Sequence, residues 1–391
     1  MVRQARQALS GDRRPGGPFK QDAFTSPIHS ERVGAVLGIA LGVTFSVCFI
    51  TGLLSDFAQN APFWSWWPAR PAGLFRVTQG IHVTTGIASI PLLLAKLWAV
   101  YPRFWKWPPL DSALQAFERL SLVPLVAGSL FLLFSGVANI SLWYPWAFFF
   151  PTAHYWAAWV TMGAIVVHVG AKATIARRAI GGRGPDAHEA PGDGLSRRGF
   201  LGMAAAGAGL LTVTFAGQTF APLRRLALFS PVQHAAGPQG FPVFKTAASA
   251  GVTESAVRPG YEFTVEGKVA TPMSLTLEEL RALPQREVEL PIACVNGWSA
   301  SVRWKGVRLA DILERAGAPS DAAMEILSLQ EGGLYSHSHV NAQQASDPAT
   351  LLALEANGSE LHIDHGYPVR LIGPNRPGVT NTKWVRGVEV L

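Results

Sequence analysis

Cysteine is nearly missing from this chain of 391 residues, which holds two, Cys48 and Cys294. Two thiols cannot build a disulfide framework, a four-cysteine zinc site or a cysteine-ligated iron–sulfur cluster. Neither lies in a C-x-x-C-H segment, which excludes a covalently attached c-type haem. Charge is scarce as well. Asp, Glu, Lys and Arg make up 15% of the residues and apolar side chains 49%, against about 25% charged in an ordinary soluble domain. That balance excludes a disordered chain and argues against a wholly soluble one. The net charge of +7 could serve nucleic acid or the cytoplasmic flanks of membrane helices, and the placement of the basic residues separates the two.

Five stretches lack Asp, Glu, Lys and Arg, at roughly 33–54, 77–95, 120–140, 153–171 and 201–223. Each is about the 20 residues a helix needs to cross a bilayer core. Arg3, Arg6, Arg13, Arg14, Lys20 and Arg32 precede the first stretch or open it. Lys96, Arg103, Lys106 and Arg119 lie between the second and third, and Lys172, Arg177, Arg178, Arg183, Arg197 and Arg198 follow the fourth. The opposite loops carry Arg70 and Arg76 alone and are aromatic instead. By the positive-inside rule the N-terminus is cytoplasmic, and five crossings put the C-terminus outside. The expectation is a multi-pass protein of a prokaryotic cell membrane, in contact with lipid, with no nucleic-acid partner. The fold class expected is multi-domain. A basic cytoplasmic arm (1–25) precedes an all-α transmembrane four-helix bundle (26–178), a Gly/Pro-rich linker (179–200) and a fifth anchoring helix (201–223). An extracytoplasmic α+β mixed-sheet domain (240–391) follows.

Four histidines belong to the membrane half: His29, His82, His154 and His168. A polar side chain inside a bilayer is expensive and points to function, although a histidine bonded between helices, or lying at the interface, needs no ligand. His154 and His168 stand 14 residues apart, which on one helix is ~21 Å along the axis and within ~40° of one face. The topology sets His82 at a depth near His154 and His29 nearer His168. Ser26-Pro27 reads as a cap with proline at the first helical position, which would draw His29 into the first helix. Neutral imidazole is a good iron ligand, and two bis-histidine haems in a four-helix bundle would use all four residues. With these histidines, residues 29–178 resemble the two-haem, four-helix cytochrome b subunits of membrane formate dehydrogenases and hydrogenases. The resemblance implies two haem b groups passing electrons between the quinone pool and an outer-face redox partner.

Ahead of the fifth stretch stands Ser196-Arg197-Arg198-Gly199-Phe200-Leu201. It reads as positive-inside flanking, and it also resembles a twin-arginine export signal. That likeness implies the twin-arginine machinery as a partner, carrying a domain already folded around its cofactor.

In the C-terminal part, 261–269, 287–295, 324–330, 367–374 and 384–391 read as strands. Thr276 with Glu279 makes a capping box opening a short helix, 308–317 reads as an amphipathic helix stopped by Gly317, and 349–358 reads as a helix. The lone Cys294 could be a buried small hydrophobe or a thiolate ligand for a soft metal. A Cys–His hydrolase would need one of His337, His339, His362 and His365, and no local signature links any of them to Cys294. The run C-V-N-G-W-S through V-R-W-K-G (294–306), with L-A-D-I-L after it and HGYPVRLIGPNRPGVTNTKWV (365–385), resembles the molybdenum-cofactor domain of the sulfite-oxidase family. The likeness is to its periplasmic, methionine-sulfoxide-reductase-like branch and spans about 255–391. It implies that Cys294 is the catalytic residue ligating molybdenum beside a pterin dithiolene. His365 and Arg370 would contact the pterin, and Asn381, Thr382 and Lys383 would clamp its phosphate. Such a phosphate wants a guanidinium, an ammonium and N–H groups. Two departures bear on substrate. Ser299 stands where true sulfite oxidases carry an arginine, and Leu329-Gln330 where the sulfoxide-reductase branch has a threonine. His337 and His339 alternate on a possible strand beside Tyr335, at the substrate mouth or facing solvent.

The combined expectation is a membrane-bound, molybdopterin-dependent oxidoreductase exchanging electrons between quinol and an extracytoplasmic oxide of sulfur or nitrogen. The alternatives are an enzyme running in the oxidase direction into quinone, and a transmembrane haem sensor or transport module without molybdenum.

Overall fold

The computed structural model describes residues 17–19, 24, 26–60, 67–105, 113–181, 195–233, 235–257, 259–333 and 335–391. Most of the basic arm, the aromatic loop at 61–66, Lys106 and the linker at 182–194 with Arg183 lie outside the described residues.

Among the described residues five helices are long and apolar enough to cross a membrane. They are α1 (Glu31–Gln59), α2 (Leu74–Val100), α3 (Ala113–Ile140), α4 (Phe150–Ile180) and α5 (Arg197–Leu211), the last continued by a π turn, Thr212–Ala216. Two expectations are corrected. The fifth span covers Arg197–Ala216 rather than 201–223. Ser196 caps it by accepting a bond from Gly199 N at 3.1 Å, and 3-10 turns replace the helix from Gly217 on. His29 does not sit in α1. It ends a separate 3-10 turn, Pro27–His29, and Ser30 is extended. Ser30, not Ser26, caps α1, its hydroxyl accepting from Val33 N.

The chain divides into two compact units, residues 1–49 with 84–213, and residues 50–83 with 214–391. In the first, glycines admit close neighbours. A Cβ at Gly128 would meet the Thr161 side chain, and one at Gly136 the His154 ring, the small-residue contact typical of membrane helices. Ser89 donates to Thr44 at 2.8 Å, and Lys96 to the Gly34 carbonyl, where a polar group in hydrocarbon needs a partner. Val33, Leu37, Ala99 and Ala204 form a small buried cluster.

The second unit carries two sheets. Its strands are β1 (Glu262–Gly267), β2 (Met273–Thr276), β3 (Gln285–Ala293), β4 (Ser299–Arg308), β5 (Met324–Ser328), β6 (His337–Val340), β7 (Leu351–Ala356), β8 (Ser359–Glu360), β9 (Arg370–Ile372) and β10 (Val385–Val390). One sheet has the order β2-β1-β10-β5-β6, with β1 and β10 parallel. The other runs β3-β4-β7-β8, with β9 also on β7. The mixed-sheet reading holds. The capping box at Thr276 and Glu279 forms as expected, and the helix Leu309–Ala316 stops at a left-handed Gly317. Its Leu309 and Ile312 are buried with Phe263, Val265, Leu280 and Val388. A second core gathers Phe241, Leu290, Ile292, Trp304 and Leu351.

The helix expected over 349–358 is a strand, β7, buried along almost its whole length. A continuous apolar run suits a central strand as well as a buried helix. Asn357 and Gly358 turn the chain with φ of 50° and 83°, the two-residue hairpin signature that decides for strand.

Candidate active site

Cys294 follows the last residue of β3, and β4 begins at Ser299. The strands are in register up to Ala293 opposite Ser299, so residues 294–298 form the connecting loop. Cys294 N donates to Trp298 O at 3.0 Å, and Gly297 N to Cys294 O at 3.0 Å. The thiol is 7% exposed and donates to Asn296 Oδ1 at 2.9 Å. Burial pushes it up to about 11, against the pull of the Asn296 and Val295 backbone, of a hydrogen bond from the Trp298 side chain and of Lys383.

Around the same core lie the groups of the 365–385 segment. Arg370, on β9, is 2% exposed. Its Nη1 donates to His365 O at 2.9 Å, and its guanidinium sits 5.4 Å over the Trp304 ring, a cation–π contact. His365 is 1% exposed. Phe241 stacks on it at 3.7 Å, and its Nε2 donates to Pro238 O at 2.8 Å. Lys383 donates to the carbonyls of Lys245 and Asp364 at 2.9 and 2.6 Å. Burial lowers all three bases: His365 to about 3, Arg370 to about 9 and Lys383 to about 7, with Arg370 adding repulsion at His365 and Lys383. Cations held down in this way favour an anion beside them.

Among the described residues several buried polar atoms here have no hydrogen-bond partner: Arg370 Nε, His365 Nδ1 and Trp304 Nε1. Native proteins satisfy nearly all such atoms. With Nε2 donating, His365 Nδ1 is an acceptor, so the set presents two donors and one acceptor.

The other predicted residues are placed differently. Asn381 Oδ1 accepts from Gly373 N at 3.1 Å, and Thr382 Oγ1 bonds Ser338 Oγ at 2.6 Å. Both side chains hold their own loop. His337 and His339 lie on β6 as the alternation suggested, His339 paired with Glu325 at 3.2 Å. Of the membrane histidines, His82 belongs to the unit containing 214–391, and His29, His154 and His168 to the other. His154 Nδ1 bonds Ser135 Oγ at 3.0 Å, and His29 Nδ1 donates to Ala99 O at 3.3 Å.

Sequence reasoning missed the anchoring of the loop between α1 and α2. Arg70 meets Asp347 with two bonds of 2.8 and 2.9 Å. The Asn375 side chain accepts from Phe75 N, at the start of α2, at 2.7 Å and donates to Pro68 O at 2.6 Å. Trp67 Nε1 donates to Asn375 O at 2.8 Å. These pairs lie hundreds of residues apart, and no local signal announces them.

The family described as "Oxidoreductase molybdopterin binding domain" matches residues 250–391. The uncharacterized oxidoreductase YuiH of Bacillus subtilis is 35% identical over 130 residues, 33% of this chain and 64% of YuiH. Sulfite oxidase of Arabidopsis thaliana is 30% identical over 165 residues, 34% of this chain and 42% of the enzyme. A candidate protein-methionine-sulfoxide reductase subunit of Azospira oryzae, YedZ1, is 32% identical over 130 residues, 33% of this chain and 48% of YedZ1. The C-terminal domain is a molybdopterin-binding domain of the sulfite oxidase family. The chain spans less than two thirds of the length of each of these relatives. The sulfite-oxidase-family domain thus carries these partnerless atoms on the core that Cys294 shares with Trp304, and this cationic set fits an anionic pterin cofactor.

Proposed function

We propose that the chain is a membrane-bound oxidoreductase that binds molybdenum through Cys294. It would exchange electrons with the quinone pool through b-type haems and reduce an extracytoplasmic S- or N-oxide. The observation that carries the reading is the set of buried atoms of Arg370, His365 and Trp304 left without a hydrogen-bond partner among the described residues, in the domain whose core includes Cys294. The bound molybdenum cofactor supplies two-electron oxygen-atom chemistry. The protein's part is to hold and to exclude. Cys294 gives up its proton to become the ligand, and Lys383 favours the thiolate. Arg370 and Lys383 would hold the phosphate, with the Asn381 and Thr382 backbone beside them. Neutral His365 offers Nδ1 as an acceptor to a pterin N–H. Trp298 and Trp304, both nearly buried, close the site to water and present their indole N–H groups.

Support for the haems comes from His154 and His168 on the single helix α4, with His82 and His29 as their proposed partners. The Ser135 bond sets the ring of His154, as hydrogen bonds at the other ring nitrogen do for metal-bound histidines. The Azospira relative's name favours an S-oxide. Export through the twin-arginine route is part of the same proposal.

The test is metal and pyridine-haemochrome analysis of the purified full chain, expecting about one molybdenum and about two protohaems. Cys294→Ser should lose turnover and keep the haem spectrum. His82→Ala or His154→Ala should lose one haem and keep activity with an artificial donor. A chain without molybdenum overturns the enzyme reading, and one without a Soret band overturns the haem path.

A further inference from the structure

The Cys294 loop is gripped from outside by three side chains that precede the matched domain. Gln79, on α2, donates to Val295 O at 2.5 Å. Thr219 donates to Gly297 O at 2.7 Å, and Arg224 Nη2 to Ser299 O at 3.1 Å. The three carbonyls belong to alternate residues, so the donors reach the loop at regular intervals along one run of backbone. Gln79 is 4% exposed and its Oε1 has no partner among the described residues, so the bond to Val295 is made at the expense of a buried, unsatisfied acceptor. α2 also backs directly onto the loop. Gly297 has φ of 86°, and a Cβ there would fall 2.8 Å from Val83 Cγ2. Only glycine meets both demands.

None of these bonds goes to the sulfur, yet each fixes a peptide within five residues of it. We propose that Gln79, Thr219 and Arg224 are positioning residues for the Cys294 thiol, tying the metal ligand to the ends of two membrane-spanning helices. The inference rests on Cys294 being the molybdenum ligand. Gln79 and Val83 lie one helical turn apart on α2, and His82 stands between them in sequence. The residues that hold the ligand loop and a histidine proposed to hold iron thus share a single turn of helix.

Two readouts on the full chain in detergent test this. In protein freed of cofactor, the rate at which iodoacetamide modifies Cys294 is followed by peptide mass, with Cys48 as the internal comparison. Gln79→Met removes the donor at nearly constant volume, and Thr219→Val removes a hydroxyl alone. Each should speed modification of Cys294 by about tenfold, the scale of one lost hydrogen bond on a local opening, with Cys48 unchanged. In loaded protein, Gln79→Met should keep its molybdenum and shift the Mo(V) electron paramagnetic resonance signal, which a merely structural side chain would leave in place. Wild-type modification rates together with a wild-type signal in both variants overturn the proposal. Wild-type protein that binds no molybdenum overturns the ligand reading instead, and the modification rates then stand by themselves.

Discussion

Arg370 and Arg376 are both almost fully buried, and neither forms an ion pair among the described residues. Their surroundings differ. Arg376 lies in the 373–382 loop and spends its guanidinium on the protein. Nη1 donates to His339 O and Gln344 Oε1, Nη2 to Ser338 Oγ and Thr380 O, and Nε to Thr380 O. Among the described residues Arg370 makes one bond, to His365 O, and its Nε has no partner. Two arginines within one motif therefore do opposite work. A saturated guanidinium holds a loop, and the other keeps an N–H donor unused among the described residues. Asn381 and Thr382 fall on the saturated side, His365 on the other.

The largest effect that should sharpen this contrast is on stability. Arg376→Leu strands the acceptors of a buried network and should cost about 3–5 kcal/mol in the cofactor-free chain. Arg370→Leu should change that stability by about 1 kcal/mol or less, because it also relieves the burial of a charge. It should instead weaken cofactor retention by roughly 10- to 100-fold, the scale of one or two bonds to a charged group. Denaturant unfolding and molybdenum content after gel filtration measure the two quantities. Equal stability losses in both variants would erase the distinction.

Next comes Asn375→Ala, which removes the acceptor for Phe75 N and the donor to Pro68 O. It should lower stability by about 1–3 kcal/mol while leaving molybdenum content in the folded protein near that of the wild type. A specific loss of molybdenum would move Asn375 across to the ligand-holding group.

The smallest expected effect, counted per pH unit, is a pH slope. Burial and Arg370 lower Lys383 from 10.5 to about 7, with Lys245 also opposing its charge and Asp364 and Cys294 favouring it. The unfolded chain therefore holds this proton more tightly than the folded one. Between pH 7 and 10.5 the cofactor-free protein gains stability as pH rises. Retention of an anionic phosphate runs the other way, falling by up to about tenfold per pH unit above 7 as the ammonium is lost. Lys383→Arg should flatten that fall, since a guanidinium stays charged. An unchanged slope would mean that another group sets it.

Much of the architecture was legible from local pattern. Apolar length marked the spans, the Thr276/Glu279 box and Gly317 marked helix ends, and alternation marked β1, β5 and β10. Pattern failed where two structures satisfy the same residues. The run Leu351–Ala356 has the composition of a helix, and its place between β4 and β9 made it a strand. His29 followed a plausible cap and still fell outside α1. In the site, the C-V-N-G-W-S and 365–385 segments named Cys294, His365, Arg370 and Lys383. They could not tell Arg370 from Arg376, because the difference lies in which acceptors the fold brings within reach.

Chain chemistry alone settled the number of apolar spans among the described residues, the loops in which basic residues gather and the supply of two thiols in the chain, since each depends on residue type and spacing. Folding settled which buried donors are used up and which are left over, and it brought Gln79, Thr219 and Arg224 onto the Cys294 loop. Those outcomes depend on contacts between segments up to hundreds of residues apart, which no window of sequence contains.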